Sequence, residues 1–344
     1  MKLLVITQKA DKNDPVLGFF HHWVEEFSKR FDSINLICLE EGVHDLPKNV
    51  RVFSLGKETG RSKFKYVRNF YRHIVSMRHE YDAVFIHMNQ EYVLLGGIFW
   101  KLFGKSIYMW RNHHKGSEFT DISALFCTKI FCTSRYSYTA KYKKTVFMPV
   151  GVDTTLFHDE GKKRIPRSLL FLARMAPVKK PDVLLETLGT LKSQGVDFRA
   201  SLYGDPLPKD RGYYESLQSR SVELDLGDRV VFHKGVSNSE TVPVYSTHEV
   251  CVNLSSSGMY DKTIFEAMSC GTLILASNEN LRGLIDNRFI FSDSNVSELS
   301  QKLSALLTLS DTEKSSLGME LRAVVEKNHS LAMLGERLVK EINV

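Results

Sequence analysis

The sequence predicts an α/β protein built from two Rossmann-like, doubly wound domains in tandem. The chain has 344 residues, which is more than one hydrophobic core usually serves. Short apolar, β-branched segments alternate with amphipathic helical segments, an order typical of parallel sheets covered by helices. The alternation begins again near residue 168, after a polar stretch. This restart indicates a second domain of the same class.

The first half follows a β-α-β order. Its predicted strands are Leu3–Thr7, Ile34–Cys38, Val50–Ser54, Ala83–His87, Ser106–Trp110 and Lys129–Thr133. The helices predicted between them cover about Phe19–Phe31, Lys63–His79 and Tyr92–Phe103. Apolar strands separated by helical periods predict a parallel sheet.

The second half repeats this order. Its predicted strands are Ser168–Leu172, Arg199–Tyr203, Arg229–Phe232, Glu249–Leu254 and Leu273–Ser277. The predicted helices are Pro181–Gln194, Tyr213–Leu224 and Thr263–Ser269, and an amphipathic pattern over Leu331–Ile342 predicts a C-terminal helix.

A polar stretch separates the two series. Gly151–Phe157 leads into His158–Arg164, and this polar pattern predicts an inter-domain linker. We therefore expect an N-terminal domain over residues 1–160, a C-terminal domain over 161–328, and a helix over 329–344 that returns to the N-terminal domain. The alternative is an ordinary surface loop within one domain.

Composition places the chain among globular proteins, with 43% apolar and 25% charged residues. The net charge of +6 is unevenly shared. Residues 1–164 hold 26 Lys and Arg against 17 Asp and Glu, whereas residues 165–344 hold 20 against 23. The first half is therefore better suited to an anionic surface.

The cysteine pattern and the termini favour the cytoplasm. Cys38, Cys127, Cys132, Cys251 and Cys270 lie in apolar segments without the paired spacing of a zinc site, which favours buried, reduced thiols. Met1–Thr7 has no signal-peptide pattern, and Tyr92–Trp110, the most apolar window, is interrupted by Lys101 and Lys105.

A basic segment over Lys57–Arg72 interleaves Lys and Arg with aromatic residues. On a helix this pattern makes a cationic face with amphipathic edges, suited to anionic lipid headgroups. A solvated helix face is the alternative. Since no nucleic-acid recognition motif accompanies the segment, we expect no nucleic-acid partner.

The most informative segment is Ser255–Gly271, which follows a predicted buried strand and opens a helix. Small residues before a helix N-terminus leave backbone N–H groups and the positive end of the helix dipole available to an anion such as phosphate. Glu266 lies one turn inside the helix, within reach of a polar group attached to that anion. The segment predicts a nucleotide or nucleotide-sugar site.

A second loop, Ala173–Pro181, follows the first strand of the second domain and carries Arg174 and Lys179. Ligands of open parallel sheets bind beyond the carboxyl ends of the strands. The two cations can converge there on one polyphosphate.

These segments occur in a characteristic order. The Arg174/Lys179 loop is followed by Tyr203–Pro206, Val231–Val236 and Phe265–Gly271. Together they resemble the nucleotide-sugar domain of retaining glycosyltransferases of family four, the glycosyl transferases group 1, and Gly151–Phe157 resembles the domain junction of that family. The resemblance covers most of residues 150–280 and is looser over 1–150.

The resemblance implies a GT-B fold, in which two Rossmann-like doubly wound domains face each other across a cleft. It implies that Arg174 and Lys179 stabilise the departing diphosphate of a UDP- or GDP-linked sugar, and that Glu266 binds the ribose. The remaining contacts to the donor are expected from Gly204, Asp205, Val236, Gly258, Met259, Tyr260, Asp261, Lys262 and Thr263. The expected reaction is transfer to a glycan, a lipid-linked saccharide or a small acceptor, with retention, in cell-surface polysaccharide or glycolipid synthesis.

The chain departs from the family pattern at one position. The family commonly carries a second Glu, eight residues before the one matching Glu266, that holds the donor sugar. Gly258 stands there in this chain and offers no side-chain acceptor. Either Asp261 or backbone amides take over the contact, or sugar transfer is impaired; we favour the first.

In the first domain, polar residues and histidines follow two predicted strands. By the resemblance, His113 is the best match to the histidine that touches the donor sugar or the acceptor, with His114 and His87 as alternatives. A structural hydrogen bond is the other role open to His87. The Gly18-Phe19 turn resembles the glycine-containing loop of the family near the acceptor.

Other functions fit less well. A non-hydrolysing nucleotide-sugar epimerase would need cleft carboxylates that we cannot place, and Gly258 leaves room for a non-catalytic nucleotide-sugar or glycan-binding protein. An NAD-dependent oxidoreductase is disfavoured because Gln8–Asp14 lacks the glycine fingerprint. We expect neither a cofactor nor a metal ion, since no acidic cluster suits a divalent cation and no carboxylate pair suggests a glycosidase.

Overall fold

The computed structural model describes residues 1–14 and 16–342 and divides into two compact units. The first unit comprises Met1–Gly151 together with the C-terminal segment that begins at Leu331, and the second comprises Val152–Ser330. Each unit is an α/β domain built on one parallel sheet.

The first unit has a seven-stranded sheet in the order β3-β2-β1-β4-β5-β6-β7, in which all neighbours are parallel. Its strands are β1 (Lys2–Ala10), β2 (Ser33–Glu41), β3 (Val50–Ser54), β4 (Ala83–His87), β5 (Ser106–Trp110), β6 (Lys129–Cys132) and β7 (Thr145–Phe147). Its helices before the domain junction are α1 (Phe19–Ser28), α2 (Lys63–Ser76), α3 (Glu91–Leu102) and α4 (Glu118–Phe126).

Both faces of this sheet are buried. Leu3 and Val5 of β1 join the cluster that contains Trp23 of α1. Leu4 and Ile6 join a second cluster on the opposite face, together with inward residues of α2, α3 and α4. Because successive side chains of a strand point to opposite faces, the continuous apolar run of β1 fills two cores at once.

The second unit has a five-stranded sheet in the order β10-β9-β8-β11-β12, again all parallel. Its strands are β8 (Ser168–Leu172), β9 (Arg199–Tyr203), β10 (Val230–His233), β11 (Val250–Asn253) and β12 (Leu273–Ala276). Its helices are α5 (Pro181–Ser193), α6 (Arg211–Glu223), α7 (Thr241–Thr247), α8 (Lys262–Ser269), α9 (Val296–Leu307) and α10 (Asp311–Asn328).

The strand order of the second unit creates a topological switch point. The chain runs outward from β8 through β9 to β10 and then returns to the other side of β8 as β11. Loops after β8 and β11 therefore diverge and leave a crevice at the carboxyl edge, where open parallel sheets bind ligands.

The first boundary between the units lies earlier than the predicted position after residue 160. Val152 forms a β-bridge with Ser330, and its amide donates to the carbonyl oxygen of His329 at 2.9 Å. Phe157 is buried, and its carbonyl accepts a 2.6 Å hydrogen bond from the hydroxyl of Ser269. These contacts attach residues 152–160 to the second unit.

The C-terminal helix α11 (Leu331–Ile342) belongs to the first unit. Its side chains Leu334 and Leu338 are buried in the same cluster as Trp23. The hydroxyl of Tyr108 donates to the carbonyl oxygen of Ile342 at 3.0 Å. Among the helices of the described residues, none combines the length and apolarity that crossing a bilayer requires.

Candidate functional site

The predicted donor residues of the second unit lie in the loops at the carboxyl edge of its sheet. Arg174 follows β8, Gly204 and Asp205 follow β9, and Val236 follows β10. The segment that leads into α8 follows β11. The ends of the strands are level, since Leu172 and His233 both pair with Tyr203. The structure therefore brings these loops to one edge of the sheet, and those after β8 and β11 flank the switch point.

Lys179 contacts the segment that precedes α8. Its ammonium group forms an ion pair with the carboxylate of Asp261 and donates to the hydroxyl of Ser255 at 2.9 Å. The Ser255 hydroxyl also donates to Asp261, at 2.6 Å. Lys179 and Asp261 are 82 residues apart in the chain. The ion pair thus ties the loop after β8 to the loop after β11.

Asp261 is also the N-cap of α8. Its second carboxylate oxygen accepts from the amide of Thr263 at 3.3 Å and from the hydroxyl of Thr263 at 3.0 Å. Burial alone would raise the pKa of Asp261, but the Lys179 ammonium and the hydrogen bonds from Ser255 and Thr263 outweigh it and hold the pKa well below its ordinary value. All of these contacts require the carboxylate to be ionised, so this side chain is already fully engaged without a ligand.

Glu266 lies one turn into α8 and is buried. One carboxylate oxygen accepts from the side-chain amide of Asn238 at 3.1 Å, and the other accepts from the hydroxyl of Tyr245 at 3.2 Å. Burial raises the pKa of this carboxyl group, against the opposite influence of Lys262. Each oxygen keeps a second lone pair, which a ligand hydroxyl can use.

Lys262, the first residue of α8, stands one helical turn before Glu266. Burial lowers its pKa to about 8, against the raising influence of the carboxylates of Glu266 and Asp153. The two predicted donor contacts Lys262 and Glu266 are therefore electrostatically linked to each other.

The loop after β9 lies close to the loop after β8 on one side and to the loop after β10 on the other. Gly204 has a φ of +151°, and a Cβ atom built on it would lie 1.9 Å from the carbonyl oxygen of Ala173. The carboxylate of Asp205 accepts from the amide of Gly235 at 3.1 Å. The rings of Tyr203 and His233 stack with centroids 4.3 Å apart. Glycine is required at 204 because the loop that carries Arg174 passes directly against it.

Residues after β12 support the segment that contains Gly258, Met259 and Tyr260. The side chain of Asn278 donates to the carbonyl oxygen of Met259 at 2.8 Å. Asn280 donates through its side chain to Ser257 at 2.7 Å and accepts at its carbonyl oxygen from the Tyr260 hydroxyl, also at 2.7 Å. These contacts fix the course of the backbone at Gly258, which is itself buried.

Arg174 differs from Lys179 in its surroundings. Its side chain is exposed. Within residues 1–14 and 16–342, no hydrogen bond or ion pair reaches its guanidinium group from another side chain. A guanidinium keeps its charge at any relevant pH and offers five donors in a fixed fork. It is therefore available to an anion at the switch point.

The three histidines singled out in the sequence lie in the first unit, after β5 and at the end of β4. His113 is partly exposed, and its Nδ1 accepts from the amide of Lys115 at 2.9 Å. Its ring stacks on that of His114, with centroids 4.7 Å apart.

His87 is enclosed by the core of the first unit. It is buried, its Nδ1 lies 3.2 Å from the hydroxyl of Thr7, and its ring stacks on Phe20 with centroids 3.9 Å apart. This environment is that of a structural side chain. His113, which is partly exposed, and His114, which is exposed, are therefore both more accessible than His87.

One group of potential metal ligands occurs in the described residues. His21, His22 and Glu25 of α1 place their ligand atoms within 4.8 Å of one another. His21 is buried and lies 3.1 Å from the carboxylate of Asp45, and His22 lies 3.1 Å from Glu25. Hydrogen bonds between a histidine and a carboxylate can hold such a group together without a metal ion. The sequence prediction of metal independence stays a prediction.

Four residues of the site were not predicted from the sequence. They are Asn238, Tyr245, Asn278 and Asn280, which hold Glu266 and the segment before α8. Ser255, which binds Asp261 and Lys179, opens the predicted segment Ser255–Gly271 but was given no role of its own. Asn278 and Asn280 follow strand β12, and this position after a strand end is the signal that could have identified them.

Comparisons with known proteins find similarity to glycosyltransferases. Residues 166–309, which lie in the second unit, match the family model described as glycosyl transferases group 1. A D-inositol 3-phosphate glycosyltransferase of Thermomonospora curvata is 29% identical over 146 residues, covering 37% of this chain and 34% of that protein. This match spans about a third of the relative's length.

Solved structures match the whole fold. HepE of Anabaena, crystallised in complex with UDP and glucose, has a TM-score of 0.77 at 16% identity, covering 100% of this chain and 99% of that one. Sucrose-phosphate synthase of Thermosynechococcus elongatus has a TM-score of 0.79 at 15% identity, covering 99% and 98%. The predicted GT-B fold of two Rossmann-like parallel-sheet domains is confirmed.

Proposed function

We propose that this protein is a retaining glycosyltransferase that transfers a sugar from a nucleoside-diphosphate sugar to an acceptor hydroxyl. One observation carries the proposal. Lys179 is ion-paired with the N-cap residue of α8 beside the switch point of the second unit, and Arg174 lies on the same loop after β8, within the segment that matches the glycosyl transferases group 1. Two cations beside a helix N-terminus form an anion site, and a diphosphate fits its charge.

The charge requirements of the reaction fit these residues. When the bond between the anomeric carbon and the diphosphate oxygen breaks, the electron pair stays on the diphosphate. The acceptor oxygen attacks from the same face, and its proton passes to the departing diphosphate, so the configuration is retained. Cations and N–H donors already in place stabilise the negative charge that develops. We assign this role to Arg174, to Lys179 and to the backbone before α8.

The rest of the donor is assigned to neighbouring loops. Glu266 accepts from the ribose hydroxyls through its remaining lone pairs, and Asn238 and Tyr245 orient its carboxylate. The base lies along the backbone near Gly204, Asp205 and Val236. We propose a UDP-linked donor ahead of a GDP-linked one, since HepE of the same fold was crystallised with UDP.

The acceptor is assigned more broadly. We propose a glycan, a lipid-linked saccharide or a small polyol, in the synthesis of a cell-surface polysaccharide or glycolipid, with His113 contacting the sugar or the acceptor. A matching relative is named as an inositol-phosphate glycosyltransferase, and TarM of S. aureus was crystallised with UDP, fondaparinux and a GlcNAc-glycerol. The expected cytoplasmic location stays a prediction, which cell fractionation tests.

Gly258 favours a second candidate, a protein that binds a nucleotide sugar or a glycan without transferring it. The position offers no carboxylate to the donor sugar, and Asp261, the expected replacement, is committed to Lys179, Ser255 and Thr263. Under the main proposal, backbone amides of the segment held by Asn278 and Asn280 take over the contact to the sugar.

The test is donor binding and turnover with a panel of UDP- and GDP-sugars. Binding of a nucleoside diphosphate should raise the melting temperature. Arg174→Ala should lower turnover about 10²-fold with the fold intact, as for other lost electrostatic contacts to a transition state. Arg199→Ala is the matched control, because Arg199 is exposed at the opposite, amino end of β9.

Each outcome selects one function. Binding without hydrolysis or transfer of any donor supports the non-catalytic candidate. Conversion of the donor sugar to its epimer without an acceptor identifies an epimerase. Wild-type turnover in Arg174→Ala, or no response to any nucleotide, rejects the proposed diphosphate site. The anomeric configuration of the product, read by NMR, decides between retention and inversion.

A further inference from the structure

Three neighbouring helices of the first unit expose apolar side chains on their outer faces. Among the described residues, eight of the twenty exposed large apolar side chains belong to α2, α3 and α4, helices of only 14, 12 and 9 residues. The eight are Phe64, Val67 and Val75 of α2, Ile98 and Leu102 of α3, and Phe119, Ile122 and Leu125 of α4. We call these eight side chains and the helix faces that carry them the outer face.

The three helices lie side by side against one side of the sheet. The Tyr71 hydroxyl of α2 donates to the carbonyl oxygen of Leu95 in α3 at 3.1 Å. Thr120 of α4 donates to the side chain of Gln90, the N-cap of α3, at 2.6 Å. Their inward residues, among them Phe70 and Trp100, fill one common core. The side chains of the outer face are therefore carried by three helices that pack side by side over one core.

The exposed apolar residues recur at helical spacing. Positions 64, 67 and 75, positions 98 and 102, and positions 119, 122 and 125 each fall along one stripe of their helix. A surface helix of a globular protein normally has one apolar stripe, which faces the core. These helices have a second stripe. Phe64, Leu102 and Leu125 are 79%, 77% and 78% exposed, so they protrude from the surface.

Cations accompany these apolar residues. Helix α2 carries Lys63, Lys65, Arg68 and Arg72 and no acidic residue, and Lys101 is exposed beside Leu102. The acidic residues of α3 and α4 stand in their first turns. Phe64 and Val67 thus lie among basic side chains, which is the pattern of a surface that inserts apolar groups between anionic headgroups.

We infer that the outer face of α2, α3 and α4 docks on an anionic lipid bilayer. The basic residues of α2 bind the headgroups, while the protruding side chains of all three helices enter the boundary between headgroups and acyl chains. The segment Lys57–Arg72 identified from the sequence supplies the charge, and α3 and α4 supply much of the apolar area. This inference goes beyond the proposed function and does not depend on it.

The test is co-sedimentation of the full chain with vesicles of phosphatidylcholine and phosphatidylglycerol, compared with phosphatidylcholine alone. We expect binding to the anionic vesicles that weakens as salt is added. Phe64→Ser/Leu102→Ser/Leu125→Ser and, separately, Arg68→Gln/Arg72→Gln should each lower the partition coefficient about tenfold or more. Val222→Ser/Met319→Ser is the control, because these exposed apolar residues belong to the second unit and should not matter.

Other outcomes would overturn the inference. One is equal binding to neutral and anionic vesicles, and another is no binding to either. A third is a partition coefficient equal to that of the wild type in both the triple serine variant and the double glutamine variant, with circular dichroism showing an intact fold. A dimer that the triple apolar variant dissociates, without vesicle binding by the wild type, would identify the outer face as a protein interface instead. The assay contains neither donor nor acceptor, so its failure would leave the proposed glycosyl transfer intact.

Discussion

Removing one partner of the ion pair between Lys179 and Asp261 should destabilise the second unit. We expect Asp261→Asn to destabilise that unit strongly although it preserves the size of the side chain. Asparagine is a good N-cap residue, so the amide of Thr263 keeps an acceptor. The other end of the new amide carries hydrogens, however, and faces the Lys179 ammonium, which can only donate, and the Ser255 hydroxyl, which donates to this position in the wild type.

The magnitude follows from burial. Removing one partner of a buried ion pair costs about 3–5 kcal/mol, because the other charge is left uncompensated. The side chain of Lys179 is 22% exposed and that of Asp261 is 11% exposed. Water therefore solvates part of the charge that is left without a partner. We expect about 2–4 kcal/mol for Asp261→Asn. Asp261→Ala removes the cap as well and should cost about 1 kcal/mol more.

The stabilisation should depend on pH. Because the folded-state pKa of Asp261 lies below its ordinary value, the unfolded chain takes up the proton first as the pH falls. The contribution of ionised Asp261 to the free energy of unfolding is therefore complete above the ordinary pKa of an aspartate, about 4. This contribution is lost as the pH falls through the folded-state pKa. The difference in stability between wild type and Asp261→Asn should be constant near neutrality and should shrink below about pH 4.

Urea denaturation followed by two probes measures the effect. Trp23, Trp100 and Trp110, the three tryptophans of the chain, all belong to the first unit, so their fluorescence reports on that unit, whereas far-ultraviolet circular dichroism reports on both. The matched control is Asp225→Asn, which removes the exposed ion pair with Lys192 and should change little. If Asp261→Asn is as stable as Asp225→Asn, the reasoning about the buried pair is refuted.

Two further predictions concern the backbone and metal dependence. Gly204→Ala should destabilise the second unit by about 3 kcal/mol, because its Cβ atom would collide with the carbonyl of Ala173. The control is Gly212→Ala, which lies in open space within α6 and should be neutral or slightly stabilising. Thermal melting measures both effects. Excess EDTA should leave turnover unchanged, and a loss that zinc restores would instead implicate His21, His22 and Glu25.

Local patterns predicted most elements of the fold. Strands such as Ala83–His87 and Ser106–Trp110 have the predicted bounds because apolar runs between polar residues mark buried parallel strands. Helix α7 was missed. It has seven residues and includes Pro243, which argues against a helix locally. It forms because Val242 and Tyr245 are buried in the second unit, and only the folded structure reveals that burial.

The site could be predicted as a set of loops but not as a network. The strand-end rule identified Arg174, Lys179 and the segment before α8. The partners of these residues come from distant positions, since Lys179 and Asp261 are 82 residues apart and Asn238 and Glu266 are 28 apart. No periodicity links such pairs. The position of the first domain boundary was missed for the same reason, because residue 152 pairs with Ser330.

The hydrogen bonds and ion pairs of the site also give the two predicted cations, Arg174 and Lys179, different surroundings. In the described residues, Lys179 already has a carboxylate at its ammonium group, whereas no side chain forms a hydrogen bond or an ion pair with the Arg174 guanidinium. An incoming diphosphate must share Lys179 with Asp261 but meets the full charge of Arg174. Under the proposed function, Arg174→Ala should therefore reduce turnover more than Lys179→Ala does. Lys179→Ala should chiefly reduce stability, because it leaves the Asp261 carboxylate, which is only 11% exposed, without its counter-ion.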